Sequence, residues 1–375
     1  MKTRLHRTTV TVLCLAAWAL AAGQDSGTTL KQAWEKHFLV GAALNPNVVS
    51  GKDSAAAAIV KAQFNTITAE NAMKFGPTHP KSGEYNFKLA DEFVDYGTKN
   101  GMAVIGHTLV WHAQTPRWVF QDGEAKAGRD TLLARMRDHI MTVAGRYQGR
   151  IHGWDVVNEA FDDDGTLRKS PWLNGIGEDF IEKAFTFAAE ADPKAELYYN
   201  DYNVWKPEKA AAVIRLVKDL RSKGIRVDGV GEQAHWGFSY PKNGELKAML
   251  QAFREAGIKV HITEMDISVL PNPWDYQGAD IGKRFDELPG TNPYTEGLPD
   301  SVQAKLADRY AELFGIFLEY DDIVERVTLW GVDDGHSWLD YFPVRGRTNY
   351  PLLFDRQYRP KPAFDAVIRA AGTGK

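Results

Sequence analysis

Eight short apolar segments of strand length recur along the chain, with amphipathic helical segments between them. They span residues 38–43, 64–68, 103–110, 151–157, 196–199, 227–230, 258–262 and 327–330. Gly101, Gly224 and Gly257 stand shortly before three of them, where a left-handed residue commonly ends a helix. A repeated helix–glycine–strand unit is typical of α/β proteins and predicts a (β/α)8 TIM barrel. An open, doubly wound parallel sheet has the same alternation and remains the alternative.

The spacing of these units bears on the number of domains. A chain of 375 residues exceeds the usual size of one domain, which is roughly 150 residues. However, no low-complexity or Ser/Pro-rich linker divides the sequence, and units of about 44 residues fit one barrel with long loops. We therefore expect a single barrel domain over residues 24–375.

The first 23 residues have the layout of a secretory signal peptide. Three basic side chains precede an apolar run at 10–20, and small residues follow at 21–23. The apolar run is too short to span a bilayer. We therefore predict a signal peptide over residues 1–23, a secreted or periplasmic location, and no membrane contact once this segment is removed.

Cysteine content and charge exclude other classes of protein. Cys14, the single cysteine, lies within the predicted signal peptide, so the mature chain has neither a disulfide nor a thiolate site. The formal net charge is −4 and no basic cluster stands out, which argues against nucleic acid or an anionic membrane as a partner. Stability then depends on one large core, and we expect a monomer.

Two glutamates follow very apolar strand segments, Glu159 after the fourth and Glu264 after the seventh. Catalytic residues of (β/α)8 barrels lie at the carboxyl ends of the strands. Two carboxyl groups that face each other in an apolar setting acquire different pKa values, as a general acid and a nucleophile require. Glutamates at strand ends also form ordinary surface salt bridges, which is the structural alternative.

Aromatic and polar side chains occur at the same strand ends and suit a sugar ligand. The apolar faces of pyranose rings stack on aromatic side chains, and their hydroxyls require hydrogen-bonding partners. The candidate aromatic contacts are Trp111, Tyr202, Trp330 and Trp338, and the candidate polar contacts are Glu70, Asn71, Lys74, His107, Asn158 and Gln233. Packing in the barrel core is the alternative interpretation of each tryptophan.

Seven stretches at these strand ends resemble the family 10 glycoside hydrolases, the endo-β-1,4-xylanases, over nearly the whole mature chain. The stretches are Thr68–Lys74, His107–His112, Trp154–Ala160, Tyr199–Asn203, Gly231–His235, Ile262–Asp266 and Thr328–Asp333, the last leading to Ser337 and Trp338. A single stretch would be weak evidence. Seven in the same order, each at a different strand end, are not a chance match.

The resemblance implies a retaining double displacement, with Glu264 as nucleophile and Glu159 as general acid and then general base. Retention implies a separation of about 5–5.5 Å between the two carboxyl groups. The resemblance also implies that His235 bridges Glu264 and Asp266 and so orients the nucleophile. It assigns to Asn158 a hydrogen bond with the 2-hydroxyl of the sugar at the cleavage site, and it implies that Trp330 and Trp338 cover the site. The implied donor-side sugar contacts are Glu70, Asn71, Lys74, His107, Trp111 and Gln233. The implied acceptor-side contacts are Tyr202 and Asn203. The implied substrates are xylan and xylo-oligosaccharides.

Other functions remain open at this point. A related barrel that hydrolyses β-1,4-glucan or mannan differs by few contacts, because the sugar chains are similar. A noncatalytic sugar-binding barrel would lack one of the two carboxylates, and both are present here. His107 and His112 are compatible with a metal-dependent hydrolase, but no cluster of metal ligands accompanies them in the sequence. We therefore expect no metal and no cofactor.

Two segments extend these predictions. The proline-rich stretch at 270–299 is too long for a simple connection, so we interpret it as a wall of the cleft, with a structural Ω-loop as the alternative. Arg345 and Arg347 follow the last strand, where they are placed to bind glucuronic acid branches of xylan. Ordinary pairing of these arginines with Asp340 or Asp355 is the alternative.

Overall fold

Eight parallel strands close into a barrel in the computed structural model, which describes residues 27–372. The strands are β1 (Leu39–Leu44), β2 (Thr66–Ala69), β3 (Ala103–Trp111), β4 (Gly153–Asn158), β5 (Glu196–Asp201), β6 (Gly229–Glu232), β7 (Lys259–Ser268) and β8 (Val324–Leu329). Each strand pairs in parallel with the next, and β8 pairs with both β7 and β1. The last pairing closes the ring and excludes the open sheet. The predicted signal peptide lies outside the described residues, so it stays a prediction.

One long helix follows each strand. The helices are α1 (Ser54–Gln63), α2 (Lys88–Lys99), α3 (Arg129–Arg146), α4 (Phe180–Ala191), α5 (Pro207–Ser222), α6 (Asn243–Glu255), α7 (Asp300–Glu319) and α8 (Pro362–Ala371). Shorter helices at Leu30–Ala33, Pro46–Val49, Phe75–Thr78 and Pro171–Ile176 precede β1 or lie in loops. Within residues 27–372, no helix has both the length and the apolar character to cross a bilayer.

The glycines that mark the repeated unit have the conformation that the sequence predicts. Gly101, Gly224 and Gly257 follow α2, α5 and α6, with φ values of 63°, 75° and 66°. Residues with a Cβ rarely adopt this left-handed region, whereas glycine enters it at little cost. These glycines therefore end three helices and turn the chain back into the next strand.

Strand β7 extends well beyond the apolar segment that predicts it, continuing to Ser268. A short strand, His235–Gly237, pairs with Asp266, Ile267 and Ser268 and so prolongs the ladder. Because side chains alternate along a strand, Glu264 and Asp266 lie on the same face. The extension therefore places a second carboxylate directly beyond the first.

Close approach between β3 and β4 generates a prediction about stability. A Cβ at Gly106 would overlap the ring of Trp154, which is completely buried. Gly106→Ala should therefore destabilise the barrel by about 1–3 kcal/mol, measured as a fall in the midpoint of urea unfolding. Gly145→Ala in α3 is the control, since its Cβ meets no atom within 4 Å and alanine favours a helix. Equal midpoints for both variants would contradict the prediction.

Candidate active site

Glu159 follows β4 directly and has a strained backbone, with φ at 56°. A residue with a side chain occupies this region at a cost of about 1–3 kcal/mol, which the surrounding contacts must offset. The Glu159 amide donates to the carbonyl of Asn200 at 2.9 Å, and Arg168 Nε donates to the Glu159 carbonyl at 3.0 Å. The next amide, of Ala160, donates to the Tyr199 hydroxyl at 3.0 Å. These bonds fix the direction of the Glu159 side chain at the mouth of the barrel.

The carboxyl group of Glu159 is buried among hydrogen-bond donors. Its residue is 4% exposed, Trp111 Nε1 donates to Oε2 at 2.9 Å, and Gln233 Nε2 donates to Oε1 at 3.1 Å. Burial raises the pKa of Glu159 above its ordinary value, the two hydrogen bonds partly offset this, and the negative charge of Glu264 raises it further. Glu159 is therefore suited to hold a proton.

Glu264 in β7 is equally buried, but its contacts favour the ionised form. His235 Nε2 lies 3.2 Å from Oε2, and Asn200 Nδ2 donates to Oε1 at 2.8 Å. Burial alone would raise the pKa of Glu264, but the hydrogen bond from His235, the nearby His107 and the Asn200 amide together lower it below its ordinary value. The two carboxyls therefore differ in the direction of their pKa shifts.

His235 lies between Glu264 and Asp266, as the sequence analysis expects. Its Nδ1 is 3.1 Å from Asp266 Oδ1, while Trp338 Nε1 donates to Asp266 Oδ2 at 2.7 Å. Burial alone would lower the pKa of His235, but Asp266 and Glu264 raise it to about 10. The ring is therefore an imidazolium whose two N–H groups each face a carboxylate.

Asn158 and Asn200 connect the two carboxyls into one hydrogen-bond network. Asn158 Oδ1 accepts from Asn200 Nδ2 at 2.9 Å and from Gln233 Nε2 at 3.2 Å. Asn200 also bonds to Glu264, and its own oxygen accepts from Thr263 Oγ1 at 2.7 Å. The sequence analysis does not select Asn200 as a site residue. Its position at the end of β5, equivalent to that of Asn158 in β4, is the signal that identifies it.

Glu70, Asn71 and Lys74 follow β2 and form a polar row beside the carboxyls. Asn71 Nδ2 donates to Glu70 Oε1 at 3.3 Å, and Lys74 Nζ donates to Asn71 Oδ1 at 3.0 Å. Lys74 Nζ also lies 5.1 Å from the centre of the Trp111 ring. Burial lowers the pKa of Lys74, while the charges of Glu264, Glu70 and Glu159 oppose the shift. The row offers sugar hydroxyls both donors and acceptors.

Three aromatic rings lie close to His235, those of His107, Trp330 and Trp338. The His107 and Trp330 rings meet edge to face at 5.5 Å, and His107 Nδ1 is 2.9 Å from Asp155 Oδ2. The His235 ring is 4.7 Å from Trp338 and 6.2 Å from Trp330. The structure thus brings both tryptophans next to His235, the partner of Glu264, and their role as cover over a bound sugar stays a prediction.

Tyr202 is connected to Glu159 through a residue that the sequence analysis does not select. Arg168 donates to the Tyr202 hydroxyl at 2.6 Å as well as to the Glu159 carbonyl. Lys209 Nζ lies 4.1 Å from the centre of the Tyr202 ring. Arg168 is in the loop after β4 rather than at a strand end, so neither apolar periodicity nor strand position indicates it.

The segment at 270–299 packs against Asn203 and Arg168. Asn203 donates to the carbonyl of Gln277 at 2.5 Å and to Asp163 Oδ2 at 3.1 Å, and Arg168 NH1 is 3.4 Å from Asp280. These contacts favour the interpretation of this segment as a cleft wall. They also occupy the Asn203 amide, so its predicted sugar contact stays a prediction.

Arg347 is not available to a substrate, in contrast to its predicted place beside the cleft. It is 2% exposed and donates to the carbonyls of Pro271 and Phe342 at 3.0 and 3.1 Å. It also donates to Asn272 Oδ1 at 3.1 Å, so its partners are not the predicted aspartates. Arg347 therefore anchors the 270–299 segment. Arg345 is exposed and stays a candidate for an acidic branch.

The chain is similar to known proteins over nearly its whole length. The family profile described as "Glycosyl hydrolase family 10" matches residues 29–370. The endo-1,4-beta-xylanase A of Xylanibacter ruminicola is 44% identical over 363 residues, which cover 96% of this chain and 98% of that protein. An endo-1,4-beta-xylanase of Geobacillus stearothermophilus is 43% identical, covering 91% and 98%. The solved structure of a GH10 endoxylanase from a sugarcane soil metagenome has a TM-score of 0.87 and 45% identity, covering 91% and 99%.

The His235 imidazolium generates a prediction about pH dependence. Replacing it in His235→Gln removes the positive charge that keeps the pKa of Glu264 low, so Glu264 should gain its proton at a higher pH. The acidic limb of the kcat/KM profile should move upward by on the order of one pH unit. His37→Gln, at a partly exposed histidine 2.8 Å from Asp321, is the control and should leave that limb in place. An unshifted limb in His235→Gln would show that His235 does not set the charge of Glu264.

Proposed function

The chain belongs to glycosyl hydrolase family 10 and is a retaining endo-1,4-β-xylanase, and on that premise we propose a role for each residue of its site. The observation that carries the assignment is the opposite direction of two pKa shifts, upward for Glu159 and downward for Glu264. Two carboxyls with separated pKa values supply one protonated acid and one ionised nucleophile. Glu159 is accordingly the acid/base and Glu264 the nucleophile.

In the first step, the Glu264 carboxylate attacks the anomeric carbon while Glu159 protonates the departing glycosidic oxygen. The bond from the anomeric carbon to that oxygen breaks, and a glycosyl ester with Glu264 forms. His235 and Asn200 hold the two Glu264 oxygens in place for this attack. Trp111 and Gln233 bond to both oxygens of Glu159, and these bonds strengthen as the proton leaves and the carboxylate forms.

In the second step, the ionised Glu159 removes a proton from water, and the resulting hydroxide attacks the same anomeric carbon. The ester bond to Glu264 breaks, and its carboxylate returns to the His235 imidazolium. Two displacements at one carbon restore the original β configuration. The whole cycle needs only the groups of the described network and one water molecule.

The substrates follow from the relatives and from the chemistry of the cleft. The names of the similar xylanases support xylan and xylo-oligosaccharides over β-1,4-glucan or mannan. We assign the 2-hydroxyl contact to Asn158, whose amide lies within the network of both carboxyls. The row of Glu70, Asn71 and Lys74 binds donor-side hydroxyls, and Tyr202 supports the acceptor side.

The location and assembly of the enzyme are part of the proposal. The layout of residues 1–23 supports export to the periplasm or the medium. One chain supplies every named site residue, which supports action as a monomer. Light scattering on the mature enzyme tests the assembly, and a dimer mass would oppose it.

Substitution of each glutamate tests the assignment of roles. Glu264→Ala should lose on the order of 10⁴-fold or more in kcat on xylan, because no other group forms the ester. Added azide should restore turnover and yield the α-configured glycosyl azide, since it enters the space left by the carboxylate in one displacement. Glu159→Ala should lose about 10²–10⁴-fold on xylan but far less on an aryl xylobioside whose leaving group needs no proton.

Glu232→Gln is the matched control for these substitutions. Glu232 is a buried glutamate at the end of β6, but it accepts from the backbone amides of Ala234 and Trp205 at 3.0 and 3.2 Å. The glutamine amide replaces one of these acceptors by a donor, so Glu232→Gln should lower Tm. The folded variant should nevertheless keep its xylanase activity, measured as release of reducing ends per folded enzyme, because Glu159 and Glu264 are unchanged. Activity on xylan that survived Glu264→Ala without azide would overturn the mechanism. An α-configured first hydrolysis product of the wild-type enzyme, observed by NMR, would also overturn it.

Processing of the N-terminus tests the predicted export. Expression of the full chain in a bacterium should give a mature enzyme that begins near residue 24, because the small residues at 21–23 suit signal peptidase. Mass spectrometry of the periplasmic or medium fraction measures the new terminus. An active enzyme that retains Met1 in the cytoplasm would contradict export.

A further inference from the structure

The amino-terminal end of the barrel, opposite the two glutamates of the cleft, contains a buried histidine that makes no hydrogen bond within the described part of the chain. His261 in β7 is 2% exposed, and neither ring nitrogen has a hydrogen-bond partner among residues 27–372. The ring packs against that of Tyr198, with the two ring centres 4.3 Å apart. An imidazole nitrogen that has no hydrogen-bond partner is available as a ligand for transition metals.

Two carboxylates lie next to this imidazole. Glu196 is the first residue of β5, and Glu325 is the second residue of β8. One ring nitrogen of His261 and one carboxylate oxygen of each glutamate all lie within 4.8 Å of one another. The glutamate side chains are 40% and 39% exposed, so they have room to rotate toward a common ligand. Imidazole combined with carboxylates suits Zn²⁺, whereas Ca²⁺ and Mg²⁺ prefer oxygen ligands alone.

A missing side chain on β6 provides the space for this arrangement. Gly229 pairs in register with Tyr198 of β5 and Lys259 of β7, so it lies between the strands that carry Glu196 and His261. A Cβ at Gly229 would lie 2.5 Å from His261 Nε2. Any larger residue would therefore displace the imidazole. Glycine at this position allows the ring to reach across β6 toward β5.

We propose that Glu196, His261 and Glu325 bind one Zn²⁺, which connects β5, β7 and β8 at the amino end of the barrel. Zinc takes such ligands at about 2.0–2.2 Å, and water completes its coordination. Rotation of the two exposed glutamates brings their oxygens to the ion. The ion stabilises the fold and takes no part in hydrolysis, because the cleft is at the opposite end of the strands.

A lysine competes with the ion for one of its ligands. Lys259 Nζ lies 2.9 Å from Glu325 Oε1 and also donates to the carbonyl of Asp322 at 3.0 Å. Zinc must displace the Lys259 ammonium from Glu325, and the ammonium then keeps the Asp322 carbonyl as its hydrogen-bond partner. Removing this competition in Lys259→Met should therefore raise the affinity for zinc severalfold.

A second group of potential ligands provides a matched control. Asp53, Asp333 and His336 also place ligand atoms within 4.8 Å of one another. Their polar atoms, however, are already bonded: Asp53 caps α1 at the Ala56 amide at 3.0 Å, and Asp333 lies 2.9 Å from His336 Nδ1. The carboxylates of both groups have partners, including the Tyr198 hydroxyl at Glu196, but the imidazoles differ. His336 is bonded to Asp333, whereas neither nitrogen of His261 has a hydrogen-bond partner among the described residues, so we expect zinc to bind at His261 instead.

Zinc binding to the EDTA-treated, dialysed mature enzyme tests the proposal. Titration calorimetry with ZnCl2 should give one ion per chain, and a hundredfold excess over Kd should raise Tm by about 3 °C or more. Glu325→Gln and His261→Asn should each weaken binding at least tenfold, while His336→Gln should not change it. Addition of Co²⁺ should give a visible absorption band that disappears in Glu325→Gln.

The outcomes separate this site from the alternatives. Absence of zinc binding, unchanged binding in Glu325→Gln, or loss of binding in His336→Gln would each overturn the proposal. If His261→Asn does not fold, zinc binding by Glu325→Gln tests the proposal by itself, because Glu325 is partly exposed and its substitution should not disturb the fold. A zinc effect on kcat without an effect on Tm would locate the ion in the cleft and would likewise overturn the proposal.

Discussion

The pairing of β8 with β1 is the contact on which the remaining structure depends. It matches Leu39 through Ala42 with Arg326 through Leu329 and leaves the barrel without a free edge. Closure brings the carboxyl ends of all eight strands to one mouth, so residues far apart in sequence become neighbours. Asn158 and Asn200 lie side by side on neighbouring strands, whereas Asn200 reaches Glu264 past β6 because the sheet curves into a barrel.

Within this mouth, one hydrogen-bond network gives two chemically identical side chains opposite properties. Burial acts on Glu159 and Glu264 alike and raises the pKa of each. What differs is the group bonded to the carboxyl. Glu264 faces the imidazolium of His235, whereas Glu159 receives neutral donors from Trp111 and Gln233, and the positive charge of Arg168 acts on it only from its backbone carbonyl. A nearby positive charge stabilises a carboxylate more than neutral donors do. The different roles of the two glutamates, acid/base and nucleophile, therefore arise from their surroundings rather than from the residue type.

Much of the fold and the centre of the site could be predicted from the sequence, because both are local patterns. All eight strands were indicated by apolar runs, and Glu159 and Glu264 by their positions after two of these runs. The sequence analysis was wrong or incomplete for residues whose position depends on contacts between distant parts of the chain. Arg347 is buried against backbone carbonyls rather than placed at the cleft, and Arg168 reaches the site from within a loop.

Sequence alone determined the order of strands and helices, the glycines that end the helices, and the chemical groups available at each strand end. Those properties depend on periodicity and conformational preference over a few residues. Only the tertiary structure decided which groups meet, which carboxyl has the raised pKa, and that His261 is left without a hydrogen-bond partner among the described residues. These properties depend on burial and on distances between strands, and no local pattern encodes either before the barrel closes.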